Sequence, residues 1–332
     1  MTVAIENSVA PAVDSRARRE RIASLLQAYG AAAVLVILLV VGAVSFPTFL
    51  TFNNLTNILT QSSFPLIVAI GMTFVILTGG IDLSVGSVFA LGGVLAAEGA
   101  NYGTVGAFVL PLAVCGAIGL AQGLLVAYAK MASFIVTLAG LLAVRGLVLA
   151  ITAGGSSTPL IKDGAFTAIG QDGIFGIHWT VLIAAVAVVL GSVALTRTRV
   201  GQSIFAIGGS ESASTFMGLP VARVKLGVYV ISGLCAGLAG ALNAGYSSSG
   251  VPTVGVGLEL SAISAVVIGG TLLVGGRGSL AGTLAGVLLL SVIQNLINHI
   301  GSLNSSVQAV VSGVFLAIVV IIQTVLSRSQ RL

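Results

Sequence analysis

The sequence predicts an all-α, polytopic membrane-spanning helix bundle of about ten spans with both termini in the cytoplasm, and three observations carry that prediction. Hydrophobic residues make up 57% of the 332 and charged residues 7%, where a soluble domain carries roughly 25% charged residues. Residues 22–81 and 278–327 contain no Asp, Glu, Lys or Arg, and each stretch exceeds the roughly 20 apolar residues that one span needs. The basic residues, finally, fall almost entirely on one side of the segments so defined. A water-facing globule of this length would need a polar exterior, so lipid is the expected solvent for most of the chain.

Apolar windows of about 19 residues, cut at breakers and charges, place spans at 28–46, 60–78, 84–98, 105–129, 132–152, 176–196, 226–247, 258–274, 279–298 and 306–327. The third is short for an upright helix, and with 44 glycines in the chain some segments are expected to be broken or re-entrant inside the bundle. Residues 1–27, polar and Arg-rich, read as a cytoplasmic tail and not as a cleavable signal peptide. Residues 28–327 form the transmembrane domain, and 328–332 a short cytoplasmic C-terminal tail.

Lys and Arg in short loops are retained on the cytoplasmic side. With the N-terminus inside, Arg16, Arg18, Arg19, Arg21, Lys130, Arg197, Arg199, Arg223, Lys225, Arg277, Arg328 and Arg331 are all cytoplasmic, against Lys162 outside and Arg145 within a span. This topology accounts for the net charge of +5 and leaves no call for a nucleic-acid partner. Two loops exceed simple connectors. The external 153–175 is polar, whereas the cytoplasmic 197–225 mixes apolar, small and charged residues and predicts a short amphipathic helix at the membrane surface.

A weak internal repeat at an offset of 196 aligns Gly79, Gly80, Gly86 and Ser87 with Gly275, Gly276, Gly282 and Thr283, the pattern of a pseudo-symmetric transporter bundle. Gly233, Gly237 and Ala241, and again Gly282 and Gly286, stand four apart and suit close helix approach in lipid. Cys115 and Cys235 lie singly in apolar segments, and His178 and His299 stand alone, so neither disulfide nor metal site is expected.

At VAIGMTFVILTGGIDLSVGSVFALGGVLAA, residues 68–97, the sequence resembles the ribose-type branch of bacterial ABC sugar permeases, and FIVTLAGLLAVRG at 134–146, TRTRVGQSIFAIGGSESASTFMGL at 196–219 and AISAVVIGGTLLVGGRGSLAGTLAGVLLL at 262–290 agree with it. Within that family the resemblance is closest to galactofuranose-type permeases. It implies a monosaccharide importer in the bacterial inner membrane, a permease pair of two copies or two homologous chains. The pair docks cytoplasmic ATPase subunits and receives sugar from a periplasmic binding protein. No GxxxxGK[ST] phosphate loop occurs around Lys130, Lys162 or Lys225, so ATP is expected on the partner subunits and no cofactor or catalytic site on this chain.

Glu211, Ala213 and Gly218 in ESASTFMG resemble the coupling motif through which such permeases engage their ATPases, with Ser212 in place of an alanine. The alternative is an ordinary amphipathic surface loop. Asp82, after the Gly-Gly break in GGIDLSVGS, reads as a helix cap accepting the amide of Ser84 or Val85. Arg145 lies about 13 residues into its span, roughly 20 Å at 1.5 Å per residue; it either snorkels outward or faces the pathway to bind sugar or hold a partner helix. Ser291, Gln294, Asn295 and Asn298 recur at steps of three and four and form one polar stripe, suited to a neutral polyol because amides offer both donor and acceptor. Asn243 is a weaker case of the same kind. The rival function is an ion-coupled secondary carrier, which would place carboxylates deep in the bilayer; here the acidic residues near spans lie at predicted ends.

Overall fold

The computed structural model describes residues 30–300 and, beyond them, 310, 313 and 314. The expected tails at 1–27 and 328–332 lie outside the described residues, as does nearly all of the expected span at 306–327. The helices are α1 (Gly30–Ser45), α2 (Phe52–Leu77), α3 (Val85–Gly99), α4 (Thr104–Ala127), α5 (Ser133–Ile151), α6 (Gly164–Gln171), α7 (Trp179–Arg197), α8 (Arg199–Gly209), α9 (Glu211–Phe216), α10 (Val221–Ser247), α11 (Leu258–Ile268) and α12 (Leu280–Ile300). A two-residue hairpin, β1 (Gly173–Ile174) with β2 (Ile177–His178), pairs antiparallel before α7.

The first nine expected spans fall on α1, α2, α3, α4, α5, α7, α10, α11 and α12. Six of these, α2, α4, α5, α7, α10 and α12, are long and apolar enough to cross a membrane. The three others are shorter for visible reasons in two cases. α3 begins only after a non-helical stretch that follows the first Gly-Gly break, and α11 stops at Gly269, beyond which Gly270 takes φ +90. The expected external connector 153–175 is more than a loop, because it contains α6, whose N-cap Asp163 accepts the amides of Ala165 and Phe166.

α2 is the most enclosed of the long helices and α7 the least, so α2 is the central pillar. It starts at Thr51, whose hydroxyl oxygen accepts the Asn54 amide at 3.4 Å. Pro65 lies inside it and, having no N–H, leaves the Gln61 carbonyl without its helical donor. The buried apolar side chains Ile67, Met72 and Ile76 of α2 join Leu91 of α3, Ala236 and Leu242 of α10 and Val266 of α11 in one core cluster.

α10 packs against α4 through backbone. A β-carbon on Gly119 would overlap the Tyr229 carbonyl, one on Gly233 would overlap the Cys115 carbonyl, and one on Gly123 would stand 3.0 Å from the Leu226 carbonyl. Side chains at these positions would force the helices apart, so small residues set the interaxial distance. The same holds where Gly286 of α12 meets the Ala265 carbonyl of α11.

Candidate functional site

Three clusters of polar or backbone chemistry stand out, one beside the start of α2 and two at its other end. Near its start, α2 and α12 enclose a polar cavity of about 430 Å³. Ser291, Gln294, Asn295 and Asn298 all line it, so the stripe expected from their spacing is one surface. The facing wall is Asn54, Asn57 and Gln61 of α2. Asn54 and Asn295 exchange two hydrogen bonds, Asn54 Nδ2 to Asn295 Oδ1 at 3.1 Å and Asn295 Nδ2 to Asn54 Oδ1 at 2.8 Å. A smaller cavity of about 140 Å³ shares Pro65, Ser291 and Gln294 with the first and reaches Ser261 of α11. Amide groups on both walls, with the Gln61 carbonyl freed by Pro65, can both donate to and accept from the hydroxyls of an uncharged polyol.

Neither Arg145 nor Asn243 belongs to this lining. Arg145 on α5 does not reach outward: its Nη1 donates to the carbonyls of Pro252 at 3.1 Å and Val254 at 3.0 Å, and its Nη2 to that of Gly86 at 3.4 Å. It therefore ties the chain leading into α11 to the first turn of α3. This is the helix-holding alternative, with backbone carbonyls as the acceptors.

The second cluster surrounds the chain between α2 and α3. Buried backbone groups outside helices need partners from the protein, and side chains supply them here. Ser133 Oγ accepts the Ile81 amide at 3.3 Å, while Thr137 Oγ1 and Tyr229 Oη donate to the Ile81 carbonyl at 3.2 and 3.4 Å. Asp82, 1% exposed, accepts the amide and hydroxyl of Ser84 at 2.9 and 2.7 Å through Oδ1 and the Ser232 hydroxyl at 2.7 Å through Oδ2. The bond expected of Asp82, to the Ser84 amide, is present, but Ser84 itself occupies the N-cap position of α3 and Asp82 lies two residues before it. Through Ser232 the carboxylate also ties the approach to α3 onto α10.

At the far end of α2, the segment expected to hold one amphipathic helix forms two. α8 buries Gly201, Ile204 and Ile207 on one face. α9 begins at Ser210, whose Oγ accepts the Ala213 amide at 3.2 Å, and ends where Gly218, at φ +77, returns its amide to the Thr215 carbonyl at 3.0 Å while Leu219 bonds the Ser214 carbonyl. Glu211, Ala213 and Gly218 therefore define the two ends of α9. Glu211 Oε2 pairs with Lys225 Nζ of α10 at 2.6 Å, and Phe216 and Met217 stand 91% and 70% exposed at the tip.

Beneath α8 the two glycine breaks meet, which spacing alone does not reveal. Gly79 and Gly275 both take positive φ, +79 and +87, and a β-carbon on Gly275 would lie 2.7 Å from the Gly79 nitrogen. The Gly276 amide donates to the Leu77 carbonyl at 3.0 Å. A β-carbon on Gly208 of α8 would overlap both that carbonyl and the Gly276 amide nitrogen. Thr73 and Thr283 link α2 and α12 nearby through a hydroxyl contact of 2.8 Å.

Asn54, Asn57 and Gln61 carry the same three-and-four spacing as the α12 stripe. Asn54 and Asn57 escaped sequence reasoning because the apolar window begins at 60 and leaves the first turns of α2 looking like a connector, which left Gln61 a single polar residue at the window's edge.

A family model described as branched-chain amino acid transport system / permease component matches residues 54–322. The chain is similar to the ribose import permease protein of Escherichia coli strain K12, 40% identical over 87% of this chain and 91% of that one. It is also similar to the ribose import permease protein of Bacillus subtilis strain 168, 40% identical over 90% and 93%, and to the fructose import permease protein of Bifidobacterium longum, 34% identical over 97% of both chains. No solved structure matches the chain.

Proposed function

Because the chain belongs to the branched-chain amino acid transport system / permease component family, we propose that it is the membrane-spanning permease subunit of an ABC importer for a monosaccharide. The observation that carries this reading is the near full-length similarity to ribose and fructose import permeases, and the amide-lined cavity between α2 and α12 supports it as a route for a neutral polyol. The protein is a multi-pass inner-membrane protein of about ten spans, with α8, α9 and both termini in the cytoplasm. It pairs with a second copy or a homologous permease, takes sugar from a periplasmic binding protein and is driven by separate ATPase subunits that bind ATP.

In this reading α9 is the element that the ATPases grip, with exposed Phe216 and Met217 as its apolar tip. Motion of α8 and α9 reaches the membrane through Gly208, which touches both helix breaks at once. A rigid element seated on two breaks transmits displacement to α3 and α12 together, which a flexible tether cannot do.

Reconstitution with the ATPases and the binding protein tests the proposal. ATP-dependent uptake of ribose or fructose, lost when the ATPase is inactivated, is the expected result. Concentrative uptake by the isolated chain on an ion gradient, with no nucleotide, would overturn it.

A further inference from the structure

At the end of the bundle that carries α8 and α9, the break after α2, the turn between α4 and α5 and the start of α10 enclose a cleft of about 900 Å³. Its charged lining is Lys130, Arg223, Lys225 and Glu211. Glu211 is already engaged by Lys225, and neither Lys130 nor Arg223 has an ion-pair or hydrogen-bond partner among the described residues. Retention of cations on the cytoplasmic side explains why such residues are present. It does not explain why two of them share one cavity with no free carboxylate, where like charges repel.

The backbone adds to the imbalance. Neither α5, entered from Ala132, nor α10, entered from Pro220, has a side-chain cap bond, and Ala132, Ser133 and Ala222 belong to the cleft lining. Two positive helix ends thus open on the space that the two cations line. At its edge the cleft turns apolar: Tyr128 and Met131 line it and are 55% and 44% exposed, and Phe134 and Ile135 of α5 are exposed next to them. A water-soluble anion has no use for such an apron, whereas an acyl chain does.

From this juxtaposition of unpaired cations, open helix ends and an apolar edge, we propose that the cleft holds the phosphate headgroup of an anionic phospholipid. Lys130 and Arg223 grip the headgroup, and the acyl chains lie along Tyr128, Met131, Phe134 and Ile135. The site does not depend on the coupling assignment. Thr78, Gly79 and Gly80 line the same cleft, so a bound headgroup rests beside the first helix break.

The test is native mass spectrometry of the full-length chain released from nanodiscs containing equal phosphatidylglycerol and phosphatidylcholine. The wild type is expected to retain phosphatidylglycerol selectively, and Lys130→Gln/Arg223→Gln to lose about thirtyfold in that retention, the order-of-magnitude worth of two headgroup-facing cations. The charge-keeping pair Lys130→Arg/Arg223→Lys should retain it. If the glutamine pair fails to fold, Arg223→Gln alone serves, with an expected loss of about fivefold. Equal retention by the wild type and the glutamine variant, equal retention of the two lipids, or full displacement of the lipid by soluble glycerol phosphate would each overturn the proposal.

Discussion

The Gly276 amide donates to the Leu77 carbonyl at 3.0 Å, so the break that ends α2 is stitched to the break that leads into α12. Gly208 rests on that stitch with no room for a β-carbon. Gly208→Ala drives a β-carbon into the Leu77 carbonyl and the Gly276 nitrogen, a kind of overpacking that costs typically about 1–3 kcal/mol. We expect the variant to insert and assemble while sugar uptake falls at least about tenfold, the equivalent of about 1.4 kcal/mol, and ATP hydrolysis continues. The ratio of ATP hydrolysed to sugar imported in proteoliposomes is the measurement; an unchanged ratio removes the junction from the force path.

The Asn54–Asn295 pair separates packing from passage. Hydrogen bonds between membrane helices are worth about 0.6 kcal/mol on average and at most about 1.7, so Asn295→Leu should barely alter assembly. If the amides line the route, flux falls in Asn295→Leu and falls again in Asn54→Leu/Asn295→Leu. Recovery of flux in the double variant, where two apolar groups face each other, would return the pair to simple helix packing.

Gly218 closes α9 at φ +77 with open space around it, so any effect of substitution there comes from backbone strain and not from a clash. Gly218→Val imposes a left-handed conformation that costs roughly 1–2 kcal/mol and should weaken co-purification of the ATPase. Gly218→Asn, which tolerates that conformation, should retain it. Glu211→Lys faces Lys225 with a like charge and should act in the same direction as the valine variant. Equal ATPase binding in all three would dissociate the end of α9 from docking.

Asp82 binds three donors with two oxygens. Asp82→Ala leaves the Ser84 and Ser232 groups without that acceptor in a buried place, at about 1–3 kcal/mol for each unsatisfied group. Lower thermal stability is expected, with ATP-driven uptake falling in proportion to the folded protein. A stable variant whose uptake no longer responds to a proton gradient would instead make Asp82 a proton carrier.

The bundle was legible because lipid imposes a coarse rule, long apolar runs bounded by charge, that needs no knowledge of neighbours. The α12 stripe was legible for a similar reason: Ser291 to Asn298 share one helix, and helical periodicity fixes their face. Its opposite wall was hidden because Asn54 and Asn57 dilute the apolar window in which α2 begins. Arg145 could be singled out by its charge, but its acceptors are the carbonyls of Gly86, Pro252 and Val254, and every residue carries a carbonyl. The contact between the breaks was beyond reach for a related reason. Residue spacing records that Gly79 and Gly275 are alike, but only the packing of α2 against α12 brings them together.

The seam between α4 and α10 constrains how this molecule can work. Helices usually slide past one another by letting side chains hop between rotamers, yet at Gly119 and Gly233 main chain abuts its neighbour directly. With nothing there to re-pack, the two helices form a girder that tilts as one piece or stays still. Opening and shutting must be borne by what surrounds it, and a compound that wedges this seam would jam the protein by breaking its frame and not by occupying its route.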